Sequence, residues 1–268
     1  MALNGAVSSD QGRMLYDRVS SIDAIAHYLP STPKRAVAVA HGYPWPDGSK
    51  SEEEILAYTW TLVEAWREFA EAHAAVVLIP PLGSSRFADY RTLSEEGRPR
   101  PDVYLDHLVE QLARLLRVSA ADFRFSLFGH SAGGQFAARY LLLNPKRLTA
   151  AVVSAASTYP FPSGNTVWPY GMAGAPPAAD WAVACTVPAV VCVGADDRER
   201  RPDAPGQAGT TRVQRATDWV EAMRRYAGAR MLTPRMSLSL APGHDHDEVP
   251  MSEHGQKRLA ELWTTERQ

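Results

Sequence analysis

Hydrophobic residues follow two patterns that alternate along the chain. Short, nearly continuous apolar runs predict strands buried on both faces, at residues 35–42, 75–82, 123–128, 148–156, 188–194 and 235–241. Hydrophobic residues at helical spacing predict helices between these runs, at residues 52–74, 102–117, 132–143, 212–226 and 253–263. This alternation predicts an α/β protein with a mostly parallel central sheet flanked by helices on both faces.

One sharp turn, Gly129-His130-Ser131-Ala132-Gly133, joins a predicted strand directly to a predicted helix. In α/β sheets of this kind, ligands bind at the carboxyl ends of the strands, where this turn lies. The turn is too tight for side chains at both flanking positions, so glycine stands at each, and Ser131 is held in a strained conformation with its hydroxyl exposed. The following helix offers unpaired N–H groups to a developing anion. The pattern therefore predicts a nucleophilic serine.

A serine hydroxyl needs a general base to take its proton, and the base needs an acid to orient it. Both residue types follow Ser131 along the chain, each directly after a predicted strand. Asp196 and Asp197 follow the strand that ends at residue 194, and His244 and His246 follow the last strand. The residues by themselves leave the choice within each pair open.

Two other histidines lie near these positions in the sequence. His41 ends the first predicted parallel strand, and we expect it to be structural, with a hydrogen bond to the loop that follows. His130 is next to Ser131, but neighbouring side chains in a turn point apart. A direct role of His130 as the base is therefore not expected.

The turn and the order Ser, Asp, His resemble the α/β-hydrolase superfamily, most closely its compact serine esterases and depolymerase-like hydrolases. The resemblance extends over about residues 35–263. It implies that the acid of a G-x-x-D pattern is Asp197 and that the base of a P-G-x-x-H pattern is His246. The "HG" at residues 41–42 resembles the oxyanion loop of the family, which implies that the backbone N–H groups of Tyr43 and Ala132 form the oxyanion hole.

Aromatic residues are concentrated in the segment 157–184, which follows a strand at the same edge and is predicted to be a short, lid-like element. These aromatics either pack as a satellite of the core or line a substrate pocket. The candidate substrate-binding residues are Trp45, Tyr159, Phe161, Trp168 and Tyr170.

The stretch "HDHD" at residues 244–247 offers a second chemistry, because H-x-H-x-D can ligate zinc and a zinc-bound hydroxide also hydrolyses esters. Further ligands would have to come from distant loops that carry no matching cluster. His254 is predicted to lie on the following helix. We therefore expect no metal site.

Composition narrows the class of protein. The 268 residues are 45% hydrophobic and 22% charged, which is typical of a soluble globular protein, and we expect one domain over residues 1–268. A net charge of −2 predicts no nucleic-acid partner. No apolar stretch has the pattern of a signal peptide or the length of a membrane span, so we expect a cytoplasmic protein without a membrane partner. The two cysteines are too few for a disulfide framework, and the sequence sets no oligomeric state.

Together these features predict a serine hydrolase that needs no cofactor and cleaves an ester, or a thioester or amide, of a small and partly apolar substrate. Two other functions share these features. An acyltransferase or thioesterase of a biosynthetic pathway would use the same acyl-enzyme. A non-catalytic protein of the same fold would bind a small molecule in the same pocket.

Overall fold

Eight strands form a single sheet in the part of the chain that the structure describes. The computed structural model describes residues 13–20, 23–43, 50–83, 87, 89–93 and 100–265, with side chains from Tyr28 onward. The strands are β1 Arg13–Ser20, β2 Asp23–Leu29, β3 Arg35–Ala40, β4 Ala75–Ile79, β5 Phe125–His130, β6 Leu148–Ser154, β7 Ala189–Gly194 and β8 Met236–Ala241. Their order across the sheet is β1-β2-β4-β3-β5-β6-β7-β8.

The six strands from β3 to β8 run parallel, as the sequence predicts. β1 and β2 form an antiparallel hairpin that extends the sheet beyond β4, and the sequence analysis missed both strands. Parallel central strands are covered on both faces and therefore consist of apolar runs, whereas antiparallel strands at an edge mix polar and apolar residues. The hairpin sequence lacks the apolar run by which the other strands were found.

The described residues include six α-helices, of which the last follows β8. They are α1 Glu52–His73, α2 Pro101–Leu115, α3 Ala132–Leu143, α4 Trp181–Thr186, α5 Arg212–Gly228 and α6 Glu248–Thr265. Five were predicted, although α6 begins at Glu248 rather than at residue 253. α4 was missed because a helix of 6 residues is too short to show a periodic pattern. None of the described helices combines the length and apolarity that crossing a membrane requires.

Alternate residues of the strands face two hydrophobic layers, one on each side of the sheet. In β3, Ala38 belongs to the same hydrophobic cluster as residues of α2, α3 and α5, whereas Val37 and Val39 belong to the cluster that contains residues of α1 and α6. Trp219 of α5 and Trp66 of α1 are fully buried in the two layers. The sheet is therefore covered on both faces, and its carboxyl edge remains as the place where the loops meet.

Candidate active site

Ser131 occupies a strained turn between β5 and α3. Its φ is +53° and its ψ is −111°, a conformation that a residue with a side chain rarely adopts. A Cβ at Gly129 would lie 2.1 Å from the Gly133 carbonyl oxygen, and one at Gly133 would lie 1.9 Å from the Ala40 carbonyl oxygen. Neither position accepts a side chain, as the spacing of the glycines predicts. The Ser131 N–H donates a hydrogen bond to the Ser154 carbonyl at 2.8 Å, which anchors the turn to β6.

His246 lies in the loop between β8 and α6 and faces Ser131. Its Nε2 is 3.0 Å from the Ser131 Oγ, and its Nδ1 is 3.3 Å from Oδ2 of Asp197. The second contact is at ion-pair distance but is not aligned as a hydrogen bond. Nδ1 of His246 has no hydrogen-bond partner among the described residues. Such contacts are often loose in a substrate-free site and tighten when substrate binds. The three side chains therefore form a continuous chain of contacts at the carboxyl edge of the sheet.

Asp197 is buried, with 2% of its surface exposed. Nη1 of Arg212, which is also buried, donates to its Oδ1 at 2.8 Å and to its Oδ2 at 3.1 Å. Burial alone would raise the pKa of Asp197, but the close contact with His246 and the charge of Arg212 outweigh it and lower that pKa below its ordinary value. The carboxylate is therefore ionised at neutral pH, the state that can orient an imidazole.

Gly194 brings the aspartate and histidine loops together. A Cβ at this position would lie 2.0 Å from the Asp245 carbonyl oxygen and 2.4 Å from that of His244. The Asp196 N–H donates to the His244 carbonyl at 2.9 Å. The two loops thus touch through backbone atoms, and this contact sets the approach of their side chains.

The structure distinguishes the members of each candidate pair. Asp196 is 53% exposed at its side chain, and its carboxylate lies 3.8 Å from the guanidinium of Arg198. His244 contributes its backbone carbonyl to the contact between the loops. Asp197 is the aspartate that contacts His246, and His246 is the histidine that contacts Ser131.

Gly42 lies next to Ser131, since a Cβ at Gly42 would be 3.6 Å from the Ser131 Cβ. Its carbonyl oxygen accepts hydrogen bonds from Nδ1 of His41 at 2.6 Å and from the hydroxyl of Tyr90 at 3.3 Å. A trans peptide is planar, so its N–H points opposite to its carbonyl. The two hydrogen bonds therefore fix the direction of the Tyr43 N–H. Ala132 begins α3, where the N–H groups have no partner within the helix.

His41 and His130 are both buried, and the ring hydrogen bonds described for them join them to Gly42 and Ser154. Burial lowers the pKa of His41, which uses its Nδ1 for the loop contact, as expected from the sequence. Nδ1 of His130 is 3.2 Å from the Ser154 Oγ, and its ring lies 5.1 Å from the ring of His246. Burial, followed by the nearby His246, lowers the pKa of His130 to about 3, so His130 is neutral.

The predicted substrate-binding aromatics lie in different environments. Tyr159 is fully buried and stacks on Trp219 at 4.8 Å, so its burial argues against contact with a substrate. Phe161 and Trp168 are half-buried and pack against the core. Tyr170 is also half-buried, and the guanidinium carbon of Arg139 lies 5.7 Å from the centre of its ring. Trp45 lies outside the described residues.

The segment 157–184 is fastened to two helices by hydrogen bonds. Arg139, fully buried on α3, donates from Nε to the Pro169 carbonyl at 3.1 Å and from Nη2 to the Thr158 hydroxyl at 3.2 Å. Trp219 of α5 donates from Nε1 to the Pro160 carbonyl at 2.8 Å. Sequence reasoning missed Arg139 and also Arg212, because no local motif marks either residue.

Among the described residues, no group of three or more histidine, cysteine or acidic side chains could hold a metal ion.

No family model and no curated protein matches the sequence. Among solved structures, the chain is similar to poly(aspartic acid) hydrolase-1 from Sphingomonas sp. KT-1, with a TM-score of 0.71 and 22% identity over 92% of this chain and 97% of that chain. It is also similar to a poly(3-hydroxybutyrate) depolymerase from Bordetella parapertussis, with a TM-score of 0.66 and 23% identity over 90% and 88%. A fluorophosphonate-binding serine hydrolase from Staphylococcus aureus gives 0.59 and 14% over 94% and 98%. These likenesses establish the fold, which is the α/β-hydrolase fold.

Proposed function

We propose that this chain is a serine hydrolase that cleaves an ester bond through an acyl-enzyme on Ser131. The observation that carries the proposal is the continuous contact from Ser131 Oγ to His246 Nε2 at 3.0 Å and from His246 Nδ1 to Asp197 Oδ2 at 3.3 Å. A hydroxyl, an imidazole and an ionised carboxylate in this order are the parts that acyl transfer to serine requires.

In the first half of the reaction, His246 Nε2 takes the proton of the Ser131 hydroxyl while Oγ forms a bond to the carbonyl carbon of the substrate. The carbonyl oxygen becomes an oxyanion, which accepts hydrogen bonds from the backbone N–H groups of Tyr43 and Ala132. The bond between carbon and the leaving alcohol oxygen then breaks. The imidazolium returns its proton to that oxygen, and an ester on Ser131 remains.

In the second half, His246 takes a proton from water, and the hydroxide attacks the carbonyl carbon of the acyl-enzyme. The bond to Ser131 Oγ breaks, Oγ recovers the proton, and the free acid leaves. Every step is a proton transfer or an acyl transfer among Ser131, His246, the substrate and water, so the proposed cycle uses no cofactor. Asp197 holds the imidazole in the correct tautomer and stabilises its charged form.

The substrate proposed is a small and partly apolar ester. Phe161, Trp168 and Tyr170 supply half-buried aromatic surface in the segment that follows β6 at the carboxyl edge. Poly(3-hydroxybutyrate), named for one of the similar structures, is a polyester, whereas poly(aspartic acid), named for another, is a polyamide, so the comparisons support hydrolysis of an acyl bond of either type.

Labelling with a fluorophosphonate, followed by peptide mapping, tests the proposal directly. We expect one modified serine, Ser131, and a loss of p-nitrophenyl butyrate hydrolysis on the order of 10³-fold or more in Ser131→Ala. Ser119→Ala is the matched control, because Ser119 is exposed and lies before β5, at the opposite edge of the sheet. Modification of another serine, or normal turnover in Ser131→Ala, would refute the proposal.

A further inference from the structure

Glu248 joins two parts of the site that are far apart in the sequence. It is the first residue of α6 and lies two residues after His246. Its Oε1 accepts a hydrogen bond from the Gly42 N–H at 3.3 Å, and its Oε2 accepts one from the Tyr58 hydroxyl of α1 at 2.6 Å. One carboxylate therefore connects the loop of the proposed base with the loop of a proposed oxyanion donor.

Both partners of this carboxylate donate to it. The Gly42 backbone N–H can only donate, and the Tyr58 hydroxyl stays protonated because burial, and then the charge of Glu248, raises its pKa. The first turn of α6 also favours a negative charge, through its unpaired N–H groups and the helix dipole. The position thus suits a carboxylate that accepts hydrogen bonds from both sides.

Gly42 is held from two directions. Its N–H is bound by Glu248, and its carbonyl accepts from His41 and Tyr90. The Tyr90 hydroxyl also donates to the His41 carbonyl at 2.7 Å. Because the Gly42 carbonyl and the Tyr43 N–H belong to one planar peptide group, a rotation at Gly42 would turn the Tyr43 N–H away from the oxyanion. Glu248 supplies the restraint on the N-terminal side of that peptide.

We propose that Glu248 is a positioning residue that sets the Tyr43 N–H relative to the proposed base, His246, with Tyr58 holding the carboxylate in place. The inference rests on the proposed function, in which that N–H donates to the oxyanion. Glu248 acts through Gly42 and does not touch the substrate. Its removal therefore weakens the binding of the transition state more than the binding of the substrate.

The test measures kcat and KM with p-nitrophenyl butyrate in Glu248→Ala, Glu248→Gln and Tyr58→Phe, well below the melting temperature of each variant. We expect Glu248→Ala to lower kcat by about 10-fold to 100-fold while KM stays within about 3-fold, the effect of a misplaced donor. In Glu248→Gln the amide oxygen can accept from Gly42 and the amide nitrogen can donate to Tyr58, so kcat should stay within about 5-fold of wild type. Tyr58→Phe should fall between these two.

Glu253→Ala is the matched control, an exposed glutamate one turn further along α6, and it should retain full kcat. The inference is overturned if Glu248→Ala keeps its kcat, if it raises KM alone, or if Glu248→Gln loses as much as Glu248→Ala. Fluorophosphonate labelling of wild type distinguishes a failure of the positioning role from a failure of the proposed function. When Ser131 is labelled and Ser131→Ala is inactive, an unaffected Glu248→Ala overturns the positioning role alone; when Ser131 is not labelled, the proposed function fails first and this inference fails with it.

Discussion

Arg212 and Asp197 form a buried ion pair in which a single guanidinium nitrogen, Nη1, contacts both carboxylate oxygens at 2.8 and 3.1 Å. The same nitrogen lies 3.1 Å from the carboxylate of Glu199, which is largely exposed. Oδ2 of Asp197 is therefore shared between Arg212 and His246. The position of the carboxylate in front of the imidazole depends on a cation that contributes nothing else to the proposed reaction.

The ion pair predicts a large effect of Arg212 on stability. Removal of one partner of a buried pair leaves an uncompensated charge, so Arg212→Met should lower the free energy of unfolding by about 3–5 kcal/mol at pH 7. Urea denaturation measures this change. The exposed Arg198, which lies beside Asp196, is the control, and Arg198→Met should change the free energy of unfolding by less than about 0.5 kcal/mol. Equal effects of the two substitutions would contradict the role assigned to the ion pair.

The parallel part of the fold could be predicted from the sequence because strands that are buried on both faces consist of nearly continuous apolar runs. β7 is apolar along its whole length and β3 is apolar after Arg35, since helices cover both faces of the sheet. The hairpin of β1 and β2 has no such apolar run. The 6 residues of α4 are too few to show the helical spacing of apolar residues.

The candidate site could be predicted in part for a similar reason. Gly129 and Gly133 mark the turn because close backbone contacts exclude a side chain at both positions. Arg212 and Glu248 could not be found, because their contacts with Asp197 and Gly42 join residues from different elements. Their partners are set by how the loops meet at the edge of the sheet, which no local spacing encodes.

The two glycines predict a second effect on stability. A Cβ at Gly133 would lie 1.9 Å from the Ala40 carbonyl oxygen, which belongs to the backbone of β3 and cannot move aside. Gly133→Ala should therefore lower the free energy of unfolding by more than about 3 kcal/mol, or prevent folding. Gly164 has no atom within 4 Å of its Cβ position, so Gly164→Ala serves as the control and should fold with nearly unchanged stability. A Gly133→Ala variant as stable as Gly164→Ala would contradict the turn described here.

His130 predicts how stability depends on pH. Burial lowers its pKa from 6.5 to about 3 in the folded chain, so between these values the unfolded chain binds a proton that the folded chain does not. The contribution of His130 to stability is therefore complete above about pH 6.5 and is lost as the pH falls toward 3, at up to about 1.4 kcal/mol per pH unit. His130→Asn does not titrate, so the stability advantage of wild type over this variant should shrink between pH 7 and pH 4. His41 is present in both proteins, and its contribution cancels. Parallel stability curves for the two proteins in this range would exclude the effect.

The last prediction concerns His244 and His246, which follow the same strand and differ in what they face. His246 lies 3.0 Å from the Ser131 hydroxyl, whereas His244 gives its backbone carbonyl to the contact with the aspartate loop. Removal of a proposed base leaves the nucleophile without a proton acceptor, so His246→Ala should lower kcat by on the order of 10³-fold or more.

His244→Ala keeps the backbone carbonyl and should retain kcat within about 3-fold. Because Ser131 and His246 would act as a unit, the double variant Ser131→Ala with His246→Ala should be no slower than either single variant. Steady-state rates with p-nitrophenyl butyrate measure all four proteins. A double variant whose loss equals the product of the two single losses would show that the two side chains act independently. An inactive His244→Ala beside an active His246→Ala would move the base to the other histidine.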